Sequence, residues 1–229
     1  MRRSALVRFG SARVKTPLTA PGVRIGIMGG SFNPPHAGHV LISHTALTRL
    51  RLDQLWWVVT PGNPLKETGD LPPLEERMAA CRAITADPRI RVTGFEAELG
   101  TPYTAATLAF LRWRYPQVRF VWVMGADNLA SFHRWQHWRQ IMRMMPIAVV
   151  DRPGWRHRGL ASKAATAFRW AYVPESQSPD LPDMEPPAWT LLTGPLSPLS
   201  STAIRAMRSA NAAGGQRSPA KSHATGGQG

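Results

Sequence analysis

Short apolar runs alternate with helical patterns along most of this chain, and that alternation is its strongest constraint on the fold. Apolar runs predict strands at residues 23–28, 55–60, 89–93, 119–124, 147–150 and 189–192. Helical spacing and helix-start residues predict helices at 36–50, 73–85, 104–115, 138–145 and 200–209. Strands separated by helices form parallel βαβ units, so we expect an α/β protein with one helix-covered parallel sheet. A Pro-rich stretch at 174–187 is predicted to be a surface loop.

Composition favours one folded domain with charged ends. The 229 residues are 43% hydrophobic and 18% charged, which excludes whole-chain disorder. The net charge is +14, but residues 1–24 and 205–229 carry basic residues and no acid. We therefore expect a disordered basic extension at 1–22, a folded domain at 23–209 and a disordered tail at 210–229. The mildly basic middle suits a nucleotide-like polyanion, whereas a nucleic-acid protein usually gathers its charge on a folded face.

Cysteine use and hydropathy indicate the compartment. Cys81 is the single cysteine, so an intramolecular disulfide and a Cys-based zinc cluster are excluded. No apolar run approaches the ~18 residues that a membrane helix requires. We expect a cytoplasmic protein without a membrane partner, and the sequence leaves a homo-oligomer open.

Four segments directly follow predicted strands, and ligands in parallel sheets bind beyond the carboxyl ends of the strands. They are residues 29–39, 60–66, 124–129 and 151–154. The first reads GGSFNPPHAGH and joins a glycine turn to a helix start, where free amides favour a phosphate. His36 and His39 are three residues apart and share one helix face. Such imidazoles can donate hydrogen bonds that strengthen as charge develops on a phosphoryl group.

The string GGSFNPPHAGH resembles the GGxFDPxHxGH signature of adenylyltransferases in the HxGH nucleotidyltransferase superfamily. Residues 199–205, LSSTAIR, are similar to the second signature of that superfamily, SSTxIR. Intervening segments narrow the resemblance to bacterial nicotinate-nucleotide adenylyltransferases: NPLK at 63–66, PYT at 102–104, MGADNL at 124–129, the stretch 132–138 and RPG at 152–154. Together these segments cover about residues 23 to 208.

This resemblance implies a Rossmann-like, doubly wound sheet of nucleotidyltransferase type. It implies adenylyl transfer from ATP to nicotinate mononucleotide, which gives nicotinate adenine dinucleotide and pyrophosphate in NAD biosynthesis. The phosphate of the mononucleotide would attack the α-phosphorus of ATP, with Mg²⁺ carried mainly by the ATP phosphates and no metal ligands from the protein. Because this nucleophile is already anionic, catalysis would consist of positioning and charge stabilisation.

The resemblance also assigns roles to residues. His36, His39 and Arg205 would be catalytic. ATP would be bound by Gly29, Gly30, Ser31, His36, His39, Asp127, Ser201, Thr202 and Arg205. Nicotinate mononucleotide would be bound by Lys66, Thr104, Trp135 and Gln136, with the pyridine ring stacked on Trp135. Core packing is the competing explanation for Trp135, and helix capping is the competing explanation for Asp127.

One motif position departs from the family pattern, because Asn33 stands where the signature has Asp. Asn can replace Asp in orienting a turn by side-chain hydrogen bonds, but activity would drop if that Asp contacts magnesium or substrate charge. Other acceptors remain open: nicotinamide mononucleotide, or another phosphomonoester such as phosphopantetheine. A basic nucleic-acid-binding module is a distant alternative, with the Trp- and Arg-containing stretch 132–139 as its nearest candidate surface.

Overall fold

The computed structural model describes residues 14–62, 71–100, 103–194, 197, 199, 201–202 and 204–205. Its sheet contains six strands: β1 (Arg24–Gly30), β2 (Gln54–Val59), β3 (Ile90–Thr93), β4 (Arg119–Gly125), β5 (Ile147–Val150) and β6 (Trp189–Leu192). The strand order is β3-β2-β1-β4-β5-β6, and every neighbouring pair is parallel. The predicted parallel α/β fold is confirmed, and no strand end differs from its prediction by more than two residues.

Helices cover both faces of this sheet. They are α1 (Ala37–Arg49), α2 (Leu74–Ile84), α3 (Thr104–Arg114), α4 (Ala126–Ser131), α5 (Trp138–Met144), α6 (Arg156–Leu160) and α7 (Lys163–Ala167). Four of these were predicted, each within one residue of its ends. The sequence did not predict α4, α6 and α7, because five or six residues are too few to show a helical period. Of the predicted helix 200–209, residues 201, 202, 204 and 205 are helical, and the others lie outside the described residues.

Alternation along the strands divides the core into two layers. In β4, Trp122 and Met124 face the layer that contains α3 and α5, whereas Val121 and Val123 face the layer that contains α1. Strands buried on both faces read as continuous apolar runs, which is why the sequence signalled them clearly. None of the helices in the described ranges is long and apolar enough to cross a membrane.

The strand order reverses at β1, which lies between β2 and β4. At such a point the loops that follow the strands turn to opposite sides and leave a crevice beyond the carboxyl ends. Three of the four segments singled out in the sequence follow β1, β4 and β5 at this edge. The fourth, 60–66, follows β2 there and is described as far as residue 62.

Two boundaries differ from the predictions. The Pro-rich stretch 174–187 contains a 3-10 helix (Glu175–Asp183) rather than only a surface loop, and its Leu181 is fully buried against the sheet. Proline suits this helix type because its fixed φ matches it. At the N-terminus, Val14 is buried in the core and the Gly22 amide donates to the Gln117 carbonyl at 2.8 Å. The packed region therefore begins before residue 23, while the predicted disorder of 1–13 and 210–229 lies outside the described residues.

Candidate active site

The loop that follows β1 packs tightly against its neighbours. Gly29 lies against the Trp122 ring, and a Cβ at this position would be 2.7 Å from that ring. Phe32 adopts a left-handed φ of 46° and is 2% exposed, with its ring stacked on Trp57 at 4.8 Å. Buried stacking holds a conformation that Phe rarely adopts. The loop therefore reaches the start of α1 with a fixed path.

Backbone hydrogen bonds fix the tautomers of both signature histidines. His36 caps α1, and its Nδ1 accepts from the Gly38 amide at 3.1 Å. The Nδ1 of His39 accepts from the His36 amide at 3.2 Å. A neutral imidazole that accepts at Nδ1 carries its proton at Nε2. The two rings, 3.9 Å apart between centroids, each keep an Nε2–H that can donate to a ligand.

These histidines stay neutral well below neutral pH. Burial lowers the pKa of His36 to about 4, and the charge of Arg152 lowers it further. Burial also lowers the pKa of His39 to about 3, with additional lowering by His36 and Arg152. Neutral imidazoles desolvated in this way act as donors without a permanent charge of their own.

The late signature packs against the same loop. Ser201 Oγ donates to the Pro34 carbonyl at 2.9 Å, and an Arg205 guanidinium nitrogen donates to the Asn33 carbonyl. Gly38 lies beneath this contact, since a Cβ there would be 2.8 Å from His36 Nδ1 and 3.2 Å from the Leu199 carbonyl oxygen. The two distant signatures therefore meet at the start of α1.

Asp127 and Arg152 connect the ends of β4 and β5 at this edge. Asp127 is in the first turn of α4, and its Oδ2 is 2.8 Å from Arg152 Nη1. Arg152 Nη2 donates to the Leu199 carbonyl at 2.6 Å. Arg152 therefore links the Asp127 carboxylate to the late signature, a role that the sequence did not reveal.

Arg77, on α2, bonds to three loops at the carboxyl edge of the sheet. It is 3% exposed, and its guanidinium donates to the carbonyls of Ser31 and Thr60 at 2.8 Å each and of Pro72 at 2.9 Å. A rigid guanidinium fork suits several carbonyls at fixed angles. Sequence reasoning missed this residue, because an arginine among helical residues looks like an exposed side chain.

A second group of predicted residues comes from α3 and from the segment that follows α4. Thr104 begins α3, while Trp135 and Gln136 follow the 3-10 helix Phe132–Arg134. Trp135 is half-buried and contacts Trp122 edge-on, with ring centroids 6.2 Å apart. The packing explanation and the binding explanation for Trp135 are therefore compatible, because one face can pack while the other meets a ligand.

Both groups line one cavity of about 660 Å³. Of the predicted residues, those on its wall are Gly29, Gly30, Ser31, His36, His39, Thr104, Asp127, Trp135, Gln136, Ser201 and Thr202. Arg205 lies beside it, held by the Asn33 carbonyl. Lys66 lies outside the described residues. A volume of this size suits a ligand of nucleotide dimensions.

Several buried polar atoms on the cavity wall have no hydrogen-bond partner among the described residues. They are Thr60 Oγ1, Glu96 Oε2, Trp122 Nε1 and Asp127 Oδ1. Buried polar atoms normally find partners, and each one left alone costs about 1–3 kcal/mol. Because all four residues line one cavity, these atoms indicate that a polar ligand completes them.

Carboxylates are few among the described residues that line this cavity. In the described ranges, no group of three or more His, Cys, Asp and Glu side chains is placed to hold a metal ion. Asp127 is the acidic side chain beside the histidine pair, and Arg152 already pairs with it. This donor set fits a cation that arrives on nucleotide phosphates and meets at most one carboxylate.

Comparison with known proteins agrees with the fold and the two signatures. Residues 27–207 match the cytidylyltransferase-like family, and the chain belongs to it. A "probable nicotinate-nucleotide adenylyltransferase" of Methylorubrum extorquens is 56% identical over 183 residues, which is 80% of this chain and 99% of the relative. A Rhizobium meliloti protein with the same description is 57% identical over 185 residues, 81% of this chain and 98% of the relative.

A solved structure supports the fold independently. Nicotinic acid mononucleotide adenylyltransferase of Plasmodium falciparum, complexed with NaAD, superposes with a TM-score of 0.61 over 80% of this chain and 83% of that one. Its sequence identity is 17%, so the likeness concerns the fold alone. The expected family and the single-domain, Rossmann-like nucleotidyltransferase fold are confirmed.

Proposed function

We propose that this protein transfers the adenylyl group of ATP to nicotinate mononucleotide and releases pyrophosphate. The observation that carries the proposal is the single cavity that joins the histidine pair to the Thr104, Trp135 and Gln136 wall. Relatives that share more than half of their residues with this chain carry the matching description. A dinucleotide product would span the two ends of such a cavity.

At the phosphate end, the Nε2–H groups of His36 and His39 donate to the α-phosphoryl oxygens of ATP. The positive end of the α1 dipole favours the same negative charge. Ser201, Thr202 and Arg205 bind the β- and γ-phosphates, for which Arg205 exchanges the Asn33 carbonyl for a phosphate. Asp127 contacts the adenosine part, with Gly29, Gly30 and Ser31 against the nucleotide.

At the acceptor end, Trp135 stacks on the pyridine ring, and Thr104 and the backbone near Gln136 receive the nicotinate carboxylate. The start of α3 adds the positive end of a helix dipole, which suits a carboxylate. Lys66 neutralises phosphate charge in this scheme.

The reaction needs no general base. An oxygen of the acceptor phosphate forms a bond to the α-phosphorus of ATP, the bond from that phosphorus to the β-phosphate bridging oxygen breaks, and pyrophosphate leaves with the electron pair. Because the acceptor phosphate carries about −1.5 to −2 charges at pH 7, no proton has to be removed from it. His39 stabilises charge on the transferring group in flight. Mg²⁺ bound to the ATP phosphates would supply further charge neutralisation.

Pyrophosphate release measured with ATP and each acceptor tests this proposal. We expect a higher kcat/KM with nicotinate mononucleotide than with nicotinamide mononucleotide, in the presence of Mg²⁺. Faster turnover of nicotinamide mononucleotide would make it the acceptor in place of nicotinate mononucleotide. No pyrophosphate release with either acceptor would reject the proposed function. The buried free thiol of Cys81 suits a reducing compartment, and we place the reaction in the cytoplasm.

A further inference from the structure

The acceptor end contains a buried carboxyl group that the reaction above does not use. Glu96 lies in a 3-10 helix (Phe95–Leu99) after β3, is 3% exposed and lines the cavity. Its Oε1 accepts a hydrogen bond from Thr107 Oγ1 at 2.5 Å. Thr107 lies one turn after Thr104 on α3. Glu96 therefore lies below the helix start that receives the pyridine substituent in the proposed function, on which this inference rests.

The surroundings of Glu96 contain no cation that pairs with it among the described residues. β2 carries no titratable residue, Arg91 of β3 is exposed, and Arg112 and Arg114 are exposed in the last turn of α3. Glu98, on the same 3-10 helix, is also exposed. The titratable and charged residues on the cavity wall are His36, His39, Tyr103, Asp127, Arg134 and Arg152. Burial raises the pKa of Glu96 to about 7, against a smaller lowering by the Thr107 hydroxyl.

Oε2 of Glu96 has no partner in the described residues, and the same is true of the indole nitrogen of Trp122, which lines the same cavity. Trp122 Nε1 is always a donor, and Oε2 becomes one when the carboxyl group is neutral. Two buried donors that line one cavity match a ligand group that only accepts. A carboxylate is such a group, whereas a carboxamide would present its own NH₂ to one of them.

We propose that Glu96 is a specificity-determining residue that, as the neutral acid, donates from Oε2 to the carboxylate of the bound pyridine ring. Ionised Glu96 would instead repel that carboxylate in a desolvated site. The preference for nicotinate over nicotinamide mononucleotide then depends on one buried proton. It should be largest in mildly acidic solution and decline as Glu96 ionises.

The experiment measures the ratio of kcat/KM for the two acceptors from pH 6 to pH 8. Both acceptors carry the same phosphate, so its titration cancels in the ratio. With a pKa of about 7, the neutral fraction of Glu96 falls about 10-fold over this range, and the ratio should fall by about the same factor. Glu96→Gln keeps a neutral donor that does not titrate, so its ratio should stay near the value at pH 6 throughout. Glu98→Gln is the matched control and should behave as the unaltered protein.

Thr107→Val provides a second variant that keeps the titrating group. Removing the hydroxyl donor takes away the interaction that lowers the pKa of Glu96, so the fall in the ratio should move to higher pH. A pH-independent ratio in the unaltered protein would overturn the inference while leaving adenylyl transfer intact. So would a ratio for Glu96→Gln that falls as in the unaltered protein. If neither acceptor yields pyrophosphate, the proposed function itself fails.

Discussion

The two ends of the cavity are built in opposite ways. At the phosphate end, His36 and His39 are locked by backbone amides within one short loop and helix start. At the acceptor end, Glu96, Trp122 and Trp135 come from three separate elements, and the first two each leave a buried polar atom without a partner among the described residues. The histidine pair is therefore pre-formed, whereas Glu96 and Trp122, like Asp127 beside the histidines, keep a buried polar atom that a ligand would complete. A pre-formed end favours rapid chemistry, and an incomplete end favours discrimination between ligands.

The largest expected effect is at the pre-formed end. His39→Ala should lower kcat about 10²–10³-fold with a much smaller change in the KM for ATP, because its hydrogen bond tightens as charge develops in flight. Initial rates of pyrophosphate release at varied ATP measure both constants. His44→Ala, an exposed histidine on the same helix, is the control. If the KM for ATP worsened by the same factor as kcat, His39 would act in ground-state binding. The proposed difference between the two ends of the cavity would then be contradicted.

Trp135→Ala tests the other end. Loss of stacking, worth about 1–3 kcal/mol for an aromatic base, should raise the KM for the mononucleotide about 10–100-fold and leave the KM for ATP nearly unchanged. Saturation curves for each substrate separate the two constants. Trp170→Ala, at a tryptophan that is 73% exposed, should change neither. A change confined to the KM for ATP would place Trp135 outside the acceptor end.

Arg77→Lys tests what holds the phosphate end in place. Lysine keeps the charge but loses the fork that joins the carbonyls of Ser31, Thr60 and Pro72. We expect a loss of about 1.5–3 kcal/mol in unfolding free energy and a fall of about 10-fold in kcat/KM for ATP. Urea denaturation and initial rates measure the two effects. Arg82→Lys, exposed on the same helix, is the control, and unchanged kinetics in Arg77→Lys would show that the loop needs no such support.

The last prediction concerns the pH dependence of stability, which has opposite signs at the two ends. Because the pKa of His39 falls from 6.5 to about 3 on folding, its neutral burial stabilises fully above pH 6.5, and that contribution is lost as the pH falls towards 3. Because the pKa of Glu96 rises from 4.5 to about 7, its contribution is full below pH 4.5 and is lost as the pH rises through 7.

Thermal unfolding of two variants at several pH values separates the contributions of His39 and Glu96 to stability. The cost of ionising buried Glu96 grows between pH 5 and pH 8, and the Glu96→Gln variant does not carry that cost. Over this range the Tm of Glu96→Gln should therefore rise relative to that of the unaltered protein, by roughly 2–4 °C for each kcal/mol of the cost that is removed. The Tm of His39→Gln should rise relative to that of the unaltered protein as the pH falls from 7 to 4.5. Parallel pH curves for both variants and the unaltered protein would contradict the assigned pKa shifts.

The same contrast explains what the sequence could predict. The phosphate end lies in one contiguous string, so glycine turn, helix start and histidine spacing were visible together. Buried parallel strands also appear in the sequence as continuous apolar runs, which made the sheet predictable. The meeting of residues 199–205 with the first signature followed from the resemblance rather than from periodicity.

Arg77, Glu96 and Trp122 were not predicted as parts of the site, and Arg152 was singled out only as part of the segment 151–154. Each acquires its role through partners far away in the chain, such as Arg77 with Ser31 and Arg152 with Leu199. Nothing in the local sequence distinguishes a buried Glu in a short 3-10 helix from an exposed one. The buried Pro-rich segment was missed for a similar reason, because proline marks loops and 3-10 helices alike.

The central claim is that one ligand spans both ends of the cavity, and a crystal structure with nicotinate adenine dinucleotide tests it most directly. The account predicts the adenylyl phosphate within hydrogen-bond distance of the Nε2 atoms of His36 and His39, with the pyridine ring on Trp135. A pyridine ring bound away from Trp135, or phosphates beyond reach of the histidine pair, would contradict it.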